Sequence, residues 1–282
     1  MPFIVGRVTR PMSATVERLL FPPNPQPKIL TMIDAVSLHL VVFVLATFFG
    51  ALIAGLAGFA FGLIASAIWL HIVTPAESAA LISAYAIVIQ GFGIWRLRHA
   101  LQIARLLPFV AGGVAGIPVG AVVLRAASPD HLRASIGLLL VVFSVYSLAR
   151  PKFHLRGGGR IGDGLVGLAS GIVGASTGLA GLPVIIWSAV RGWSKDEQRA
   201  VFQPVVVAIF AITLLWFGGA GMVTTDVVQL FFMGLPAALL GTWLGLKLYG
   251  TLDEARFRRI VLLLLLLSGM TLLPATFVIP PR

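Results

Sequence analysis

The sequence predicts an all-α polytopic membrane protein, and three observations lead to that fold class. Of the 282 residues, 58% are hydrophobic and only 11% are charged, whereas soluble domains carry about 25% charged residues. The mean hydropathy is +0.99. The apolar residues also form long runs separated by short gaps. No soluble fold of this length buries so much apolar surface in one core, so lipid must solvate most of the chain.

The net charge of +11 would suit a nucleic-acid partner. The basic residues, however, lie almost entirely in the gaps between apolar runs, which is typical of membrane loops. We therefore expect contact with membrane lipid and none with nucleic acid. The chain has no cysteine, which excludes disulfides and zinc–sulfur sites. We expect no cofactor and no metal ion, and the sequence leaves open whether the chain forms a homodimer.

The chain begins with a polar tail, 1–34, that is basic and rich in proline. Its first long apolar run starts near Ala35, too late for a cleavable secretory signal. A basic linker loop, 150–163, reads RPKFHLRGGGRIGD and has the composition of a flexible connection. We place a first membrane repeat at 35–149 and a second membrane repeat at 164–282.

Ten apolar segments follow the tail, and a full membrane span needs about 20 residues. The segments that meet this length are 35–57, 77–95, 106–124, 200–217, 226–248 and 260–279. The shorter segments are 58–73, 134–149, 164–175 and 178–191.

The two sides of the linker resemble each other, which predicts an internal duplication. GLAGFAFG, from Gly55 to Gly62, and GIVGASTG, from Gly171 to Gly178, share the spacing G-x-x-G-x-x-x-G. Farther along, ESAALIS matches EQRAVFQ and GIPVG matches GTWLG, in the same order. Five segments in each half would make the second half inverted, whereas four would make the halves parallel. The sequence does not decide between these two arrangements.

The orientation in the membrane also stays open. Most basic residues lie in the gaps 96–105, 150–163, 191–199 and 249–259, which the positive-inside rule places in the cytoplasm. That choice puts both termini outside, whereas the four basic residues of the tail favour a cytoplasmic amino terminus.

The short glycine-rich segments at the start of each half predict broken helices. Such segments are tolerated at membrane depth only where they pack within protein or line a cavity. A helix amino terminus attracts anions through its free N–H groups and positive dipole end, and glycine lets a backbone approach a ligand. Paired broken segments in two halves are typical of a transporter's substrate site. The predicted substrate-binding residues are Gly55, Gly58, Gly62, Gln90, Gly171, Gly174, Ser176, Thr177, Gly178 and Gln203.

Each of these residues has a plainer interpretation that the sequence does not exclude. The glycines would equally serve close packing between membrane helices. Gln90 and Gln203 would equally hydrogen-bond one helix to another. Glu77 and Glu197 occupy matching positions near helix starts, where we favour a capping role over proton transfer. No metalloprotease, serine-hydrolase or nucleotide-binding motif and no paired interior carboxylates occur, so we predict that the chain is not an enzyme.

Together the motifs resemble the sulfite exporter TauE/SafE family. They are the paired G-x-x-G-x-x-x-G segments, the later G-x-x-x-G helices, and the polar turns that end in HLR or RFR. The resemblance covers about residues 36–275. It implies a multi-pass transporter of the bacterial inner membrane that exports a small sulfur-containing anion such as sulfite or a sulfonate. We expect alternating access between the two halves, the alternative being a polytopic scaffold or assembly subunit that transports nothing.

Overall fold

The computed structural model describes residues 26–58, 60–97, 103–149, 159–248 and 254–273. Within these ranges the chain forms ten α-helices and no strand. The helices are α1 (Gln26–Ala57), α2 (Phe61–Trp69), α3 (Pro75–Leu97), α4 (Ile103–Ala126), α5 (Pro129–Ala149), α6 (Gly159–Thr177), α7 (Gly181–Val190), α8 (Lys195–Gly219), α9 (Thr225–Leu248) and α10 (Glu254–Leu272).

Five helical stretches in the described residues are long and apolar enough to cross a membrane. They are Leu38–Leu56, Ile103–Ala126, Pro129–Ala149, Glu197–Gly219 and Thr225–Leu248. The part of the chain that the structure describes is therefore all-helical and consistent with a polytopic membrane protein, as the sequence predicts.

Two helices begin earlier than the sequence predicts. α1 begins at Gln26, inside the predicted tail 1–34, and α6 begins at Gly159, inside the predicted linker 150–163. Adding residues to an existing helix costs little compared with starting one, so an apolar helix can extend into polar sequence. The remainder of both predictions, 1–25 and 150–158, lies outside the described residues.

The chain divides into an amino-terminal unit, Met1–Val41, and a main unit, Val42–Arg282. Only residues 26–41 of the amino-terminal unit are described, as the first part of α1. The contacts below all lie within the main unit.

Two interruptions shape the main unit. Between α1 and α2, Gly58 has a φ of 79° and Ala60 a φ of 85°, and between α6 and α7, Gly178 has a φ of 77°. These left-handed values end a right-handed helix, and glycine accepts them because it has no Cβ. Glycine at these two positions therefore explains why both helices stop there. We call the interruption between α1 and α2 the first break and the interruption between α6 and α7 the second break.

Each short helix folds back along the long helix that precedes it. At the end of α2, the ring of Trp69 stacks on the ring of Phe43 in α1, with centroids 4.7 Å apart. Near the end of α7, Trp187 Nε1 donates a hydrogen bond of 2.8 Å to Oδ1 of Asp163, near the start of α6. The pairs α1–α2 and α6–α7 are therefore helix hairpins, and the two breaks are their tips.

Glycines bring each hairpin against a helix from the other side of the linker. A Cβ added to glycines of α4 would overlap carbonyl oxygens of α6, and the same holds for α9 against α1. Small residues permit such backbone contact between membrane helices. The glycines and the carbonyls that they face are Gly116 with Leu168, Gly120 with Ile172, Gly241 with Phe48, and Gly245 with Leu52.

A third pair of helices, α5 and α10, is also in close backbone contact through glycines. A Cβ on Gly137 would lie 2.8 Å from the carbonyl oxygen of Gly269, and a Cβ on Gly269 would lie 2.9 Å from that of Gly137. Each of the three contacts thus joins a helix from before the linker to one from after it.

The helices α3 and α8 both contribute many residues to the larger hydrophobic core, and both begin with a capping box. Before α8, the Ser194 N–H donates to Glu197 Oε2 at 3.0 Å and the Glu197 N–H donates to Ser194 Oγ at 3.2 Å. Before α3, Thr74 and Glu77 exchange the same pair of bonds. Each reciprocal pair satisfies two backbone donors that the helix leaves free, and the predicted capping role of both glutamates is confirmed.

Candidate functional site

A cavity of about 40 Å³ lies where the two breaks meet α3 and α8. This volume is enough for a few water molecules. The hairpins line it with Ala60, Phe61, Gly62 and Leu63 from the first break and with Gly178, Leu179, Gly181, Leu182 and Ile185 from the second. The long helices line it with Ile82, Ala86 and Gln90 of α3 and with Phe202, Val206 and Phe210 of α8.

The walls contributed by α3 and α8 correspond residue by residue. Each wall consists of three residues at a spacing of four, which places side chains on one face of a helix. The three α8 residues stand 120 positions after the three α3 residues, so that Gln90 corresponds to Phe210. The two walls therefore have matching positions, but one wall carries a polar side chain where the other carries an aromatic ring.

Gln90 carries the only polar side chain among the cavity-lining residues that the structure describes. It is 8% exposed, and its Oε1 has no hydrogen-bond partner among the described residues. A buried amide oxygen without a partner costs free energy, and native proteins usually satisfy such an atom with water or a ligand. Gln90 therefore marks the cavity as a place where a polar guest would be stabilised.

The first turns of α2 and α7 both line the cavity. The first N–H groups of a helix have no partner inside that helix, and they lie at the positive end of its dipole. In α7 two of the first positions cannot donate to a ligand, because the Leu182 N–H donates to the Leu179 carbonyl oxygen at 3.1 Å and Pro183 has no N–H. The two breaks also touch, since a Cβ on Gly62 would lie 3.1 Å from the Gly178 carbonyl oxygen.

Three of the ten predicted site residues line this cavity, namely Gly62, Gln90 and Gly178. The other seven lie elsewhere in the described structure, and their surroundings differ. They are Gly55, Gly58, Gly171, Gly174, Ser176, Thr177 and Gln203.

Three of these glycines are in contact with other backbone or with a small side chain. A Cβ on Gly55 would lie 2.7 Å from the Thr242 carbonyl oxygen of α9, and a Cβ on Gly171 would overlap the Gly113 carbonyl oxygen of α4. A Cβ on Gly174 would lie 2.6 Å from the Cβ of Ala180, inside the second hairpin. These contacts correspond to the helix-packing interpretation.

The hydroxyl groups of Ser176 and Thr177 donate to the backbone of their own helix. Ser176 Oγ donates to the Ile172 carbonyl oxygen at 2.7 Å, and Thr177 Oγ1 donates to that of Val173 at 2.6 Å. Thr177 Oγ1 also accepts a hydrogen bond of 3.3 Å from the N–H of Leu179. With their protons engaged, both hydroxyls stabilise the end of α6 and have no proton to donate to an anion.

Gln203 resembles Gln90 in burial but not in position. It is also 8% exposed, and its Oε1 also lacks a partner among the described residues. It follows Phe202 in α8, and consecutive helix residues point about 100° apart. Gln203 therefore lies on a different face of α8 from the cavity wall.

One charged residue near the cavity was not among the predicted site residues. Arg199 of α8 donates from Nη2 to the carbonyl oxygen of Leu56 at 3.4 Å. A Cβ on Gly58 would lie 2.8 Å from Arg199 Nε, so the guanidinium group lies against the first break. The aliphatic and aromatic residues of the cavity walls were also not predicted from the sequence. Their spacing of four along each helix, together with the separation of 120 positions between Glu77 and Glu197, could have identified them.

Interrupted helices that meet at a cavity are typical of membrane transporters. A family model described as sulfite exporter TauE/SafE matches residues 43–272. The chain therefore belongs to the sulfite exporter TauE/SafE family, which is a family of membrane transporters of sulfite-related anions and not of enzymes. No curated protein and no solved structure matches the chain.

Proposed function

We propose that the protein is a secondary transporter that exports sulfite, a sulfonate or a related small organic anion across the bacterial inner membrane. Family membership supports the class of substrate. We place the substrate in the cavity between the two breaks. The observation that carries this placement is the cavity itself, which is lined by the first turns of two helices together with the amide side chain of Gln90.

An anion in this cavity would replace its water shell with neutral groups. A glutamine amide provides two N–H donors as well as its oxygen, and free amides at a helix start attract negative charge. A full positive charge at membrane depth is costly and would hold the anion more tightly. Neutral donors therefore suit a site that must bind and then release its substrate.

We also propose that this site is the centre of an inverted internal repeat. The left-handed glycines of the two breaks, Gly58 and Gly178, are 120 positions apart. The capping glutamates Glu77 and Glu197 have the same separation, as do the two cavity walls. This register matches Gly58 with Gly178, whereas the glycine motif read from the sequence matched Gly58 with Gly174.

The helix order supports inversion of the second half. Each half then consists of one hairpin and three further helices, α3–α5 or α8–α10. We place both ends of each hairpin on one side of the membrane, which requires the three further helices of each half, α3 and α10 included, to carry the chain across. An odd number of crossings inverts the second half relative to the first.

The membrane potential alone would be enough to drive export. An anion that leaves a cell with a negative interior gains about 2.3 kcal/mol per charge per 100 mV. Uniport is therefore physically sufficient for export.

Reconstitution tests this function directly. The purified protein is placed in proteoliposomes loaded with sulfite, and efflux is followed with and without an imposed potential. We expect efflux above that of protein-free liposomes, and faster efflux when the potential drives anions outward. Absence of efflux with sulfite and with a panel of sulfonates would contradict the proposal and favour the scaffold alternative.

The substitution Gln90→Leu should reduce transport strongly without harming the fold. A hydrogen bond to a charged group contributes about 1.5–3 kcal/mol, so we expect the initial rate at low sulfite to fall about tenfold to a hundredfold. Thermal stability in detergent should stay the same or rise, because the substitution removes an unpartnered buried oxygen.

Gln203→Leu provides the matched control for this experiment. Gln203 has the same exposed fraction and the same unpartnered oxygen as Gln90, but it does not line the cavity. We expect Gln203→Leu to transport at the wild-type rate. Equal rates in the two variants would show that the cavity is not the substrate site.

A further inference from the structure

The described residues that lie against the two breaks differ in charge. Arg199 touches the first break through Gly58 and Leu56. At the second break, a Cβ on Gly178 would lie 3.2 Å from the Cα of Ala79. Ala79 stands 120 positions before Arg199, so the two residues occupy matching positions on α3 and α8. The tip of one hairpin therefore lies against a guanidinium group and the tip of the other against an alanine.

Arg199 has a structural explanation that accounts for part of this arrangement. Leu56 is at the carboxyl end of α1, where the last carbonyl oxygens of a helix lack partners within it. A cation there also suits the negative end of the helix dipole. Arg199 would therefore hold the first break in place whether or not the protein transports an anion.

Its location suggests a second role. Phe202, three positions along α8 from Arg199, lines the cavity, and so does Ala60, two positions after Gly58. The guanidinium group is therefore near one end of the cavity, and apolar walls surround that space. A charge next to a space of low dielectric acts over a longer range than it does in water.

We propose that Arg199 is a specificity-determining residue, which draws the anion into this end of the cavity and favours doubly charged over singly charged anions. This inference rests on the proposed transport function. The substrate would bind to the neutral groups around Gln90, while Arg199 raises the concentration of anions near this end of the cavity. The predicted effect is on substrate affinity and not on the rate of turnover.

The test compares Arg199→Gln and Arg199→Lys in proteoliposomes, with initial rates measured over a range of substrate concentrations. The probes are sulfite, at a pH where it is the dianion, and methanesulfonate, a monoanion. For sulfite at low ionic strength, we expect Arg199→Gln to raise KM about tenfold and to leave Vmax within about twofold. For the monoanion the rise should be about threefold, because the electrostatic energy is proportional to the ligand charge. Arg199→Lys should retain most of the affinity.

Arg133→Gln is the matched control. Arg133 Nε donates to the carbonyl oxygen of Leu70, just after the end of α2, at 3.0 Å. It therefore supports a helix end as Arg199 does, but Leu70 follows the far end of α2, whereas the cavity is lined by Phe61, Gly62 and Leu63 at the start of that helix. We expect Arg133→Gln to change thermal stability while KM stays at the wild-type value for both anions.

Each outcome decides between the electrostatic role and a purely structural one. If Arg199→Gln lowers stability or Vmax but leaves KM unchanged for both anions, Arg199 only supports the break and the inference is wrong. If Arg199→Gln does not fold, the wild-type protein still provides the test. Salt screens charge, so KM must rise with ionic strength more steeply for sulfite than for methanesulfonate, and equal slopes would overturn the inference. Absence of any wild-type efflux would instead count against the proposed function.

Discussion

Replacing Gly116 by valine is expected to leave little folded protein. A Cβ at this position would overlap the carbonyl oxygen of Leu168 and lie 2.9 Å from the backbone nitrogen of Ile172. Both atoms belong to the backbone of α6, which cannot turn aside as a flexible side chain can. Overpacking typically costs 1–3 kcal/mol, and we expect at least about 3 kcal/mol here because α4 and α6 would have to separate.

Size-exclusion chromatography after detergent extraction and heating measures this effect. We expect Gly116→Val to give aggregated protein, or a peak that is lost at a much lower temperature than in the wild type. The control is Gly219→Val, because a Cβ at Gly219 would meet no atom within 4 Å. A Gly116→Val protein as heat-resistant as the Gly219→Val protein would show that α4 and α6 do not pack as described.

Gly178→Ala is expected to lower transport about tenfold and stability by about 1–2 kcal/mol, the cost of a left-handed residue that has a Cβ. Gly178 has a φ of 77°. Its added Cβ would lie 3.0 Å from Ile82 Cδ1 and 3.2 Å from the Cα of Ala79. The isoleucine can move, but the backbone of α3 cannot do so easily. The second break would therefore shift away from α3, and the cavity that both line would change shape.

Gly221→Ala separates the two causes. Gly221 has a φ of 67° but no neighbour within 4 Å of an added Cβ, so this variant carries backbone strain without a clash. We expect its stability to fall by a similar amount, about 1–2 kcal/mol, while efflux per folded molecule stays at the wild-type rate. If both variants transport normally, the exact position of the second break does not matter for substrate passage.

The sequence predicts the parts of this fold that depend on local chemistry. Long apolar runs indicate the membrane helices, and the glycine-rich stretches at Gly58 and Gly178 indicate where two of them break. The acidic residues Glu77 and Glu197 identify two helix starts, because a capping box is formed within four residues. Gln90 was found because a glutamine is conspicuous in an apolar helix.

The features that the sequence does not predict depend on contacts between distant residues. Nothing in the run 58–73 says that α2 turns back along α1, since that depends on Trp69 stacking on Phe43. The glycine spacing could not distinguish Gly174, which packs on Ala180, from Gly178, which has the left-handed φ. Arg199 looked like an ordinary basic loop residue, because its contact with Leu56 joins residues that are 143 positions apart.

The glycine contacts also determine which parts of the protein can move as rigid bodies. α4 is in backbone contact with α6, α9 with α1, and α5 with α10, and each pair joins the sequence before the linker to the sequence after it. Rocking one half of the chain against the other would pull apart all three pairs at once. Any bodies that exchange positions during a transport cycle must therefore each be assembled from both halves.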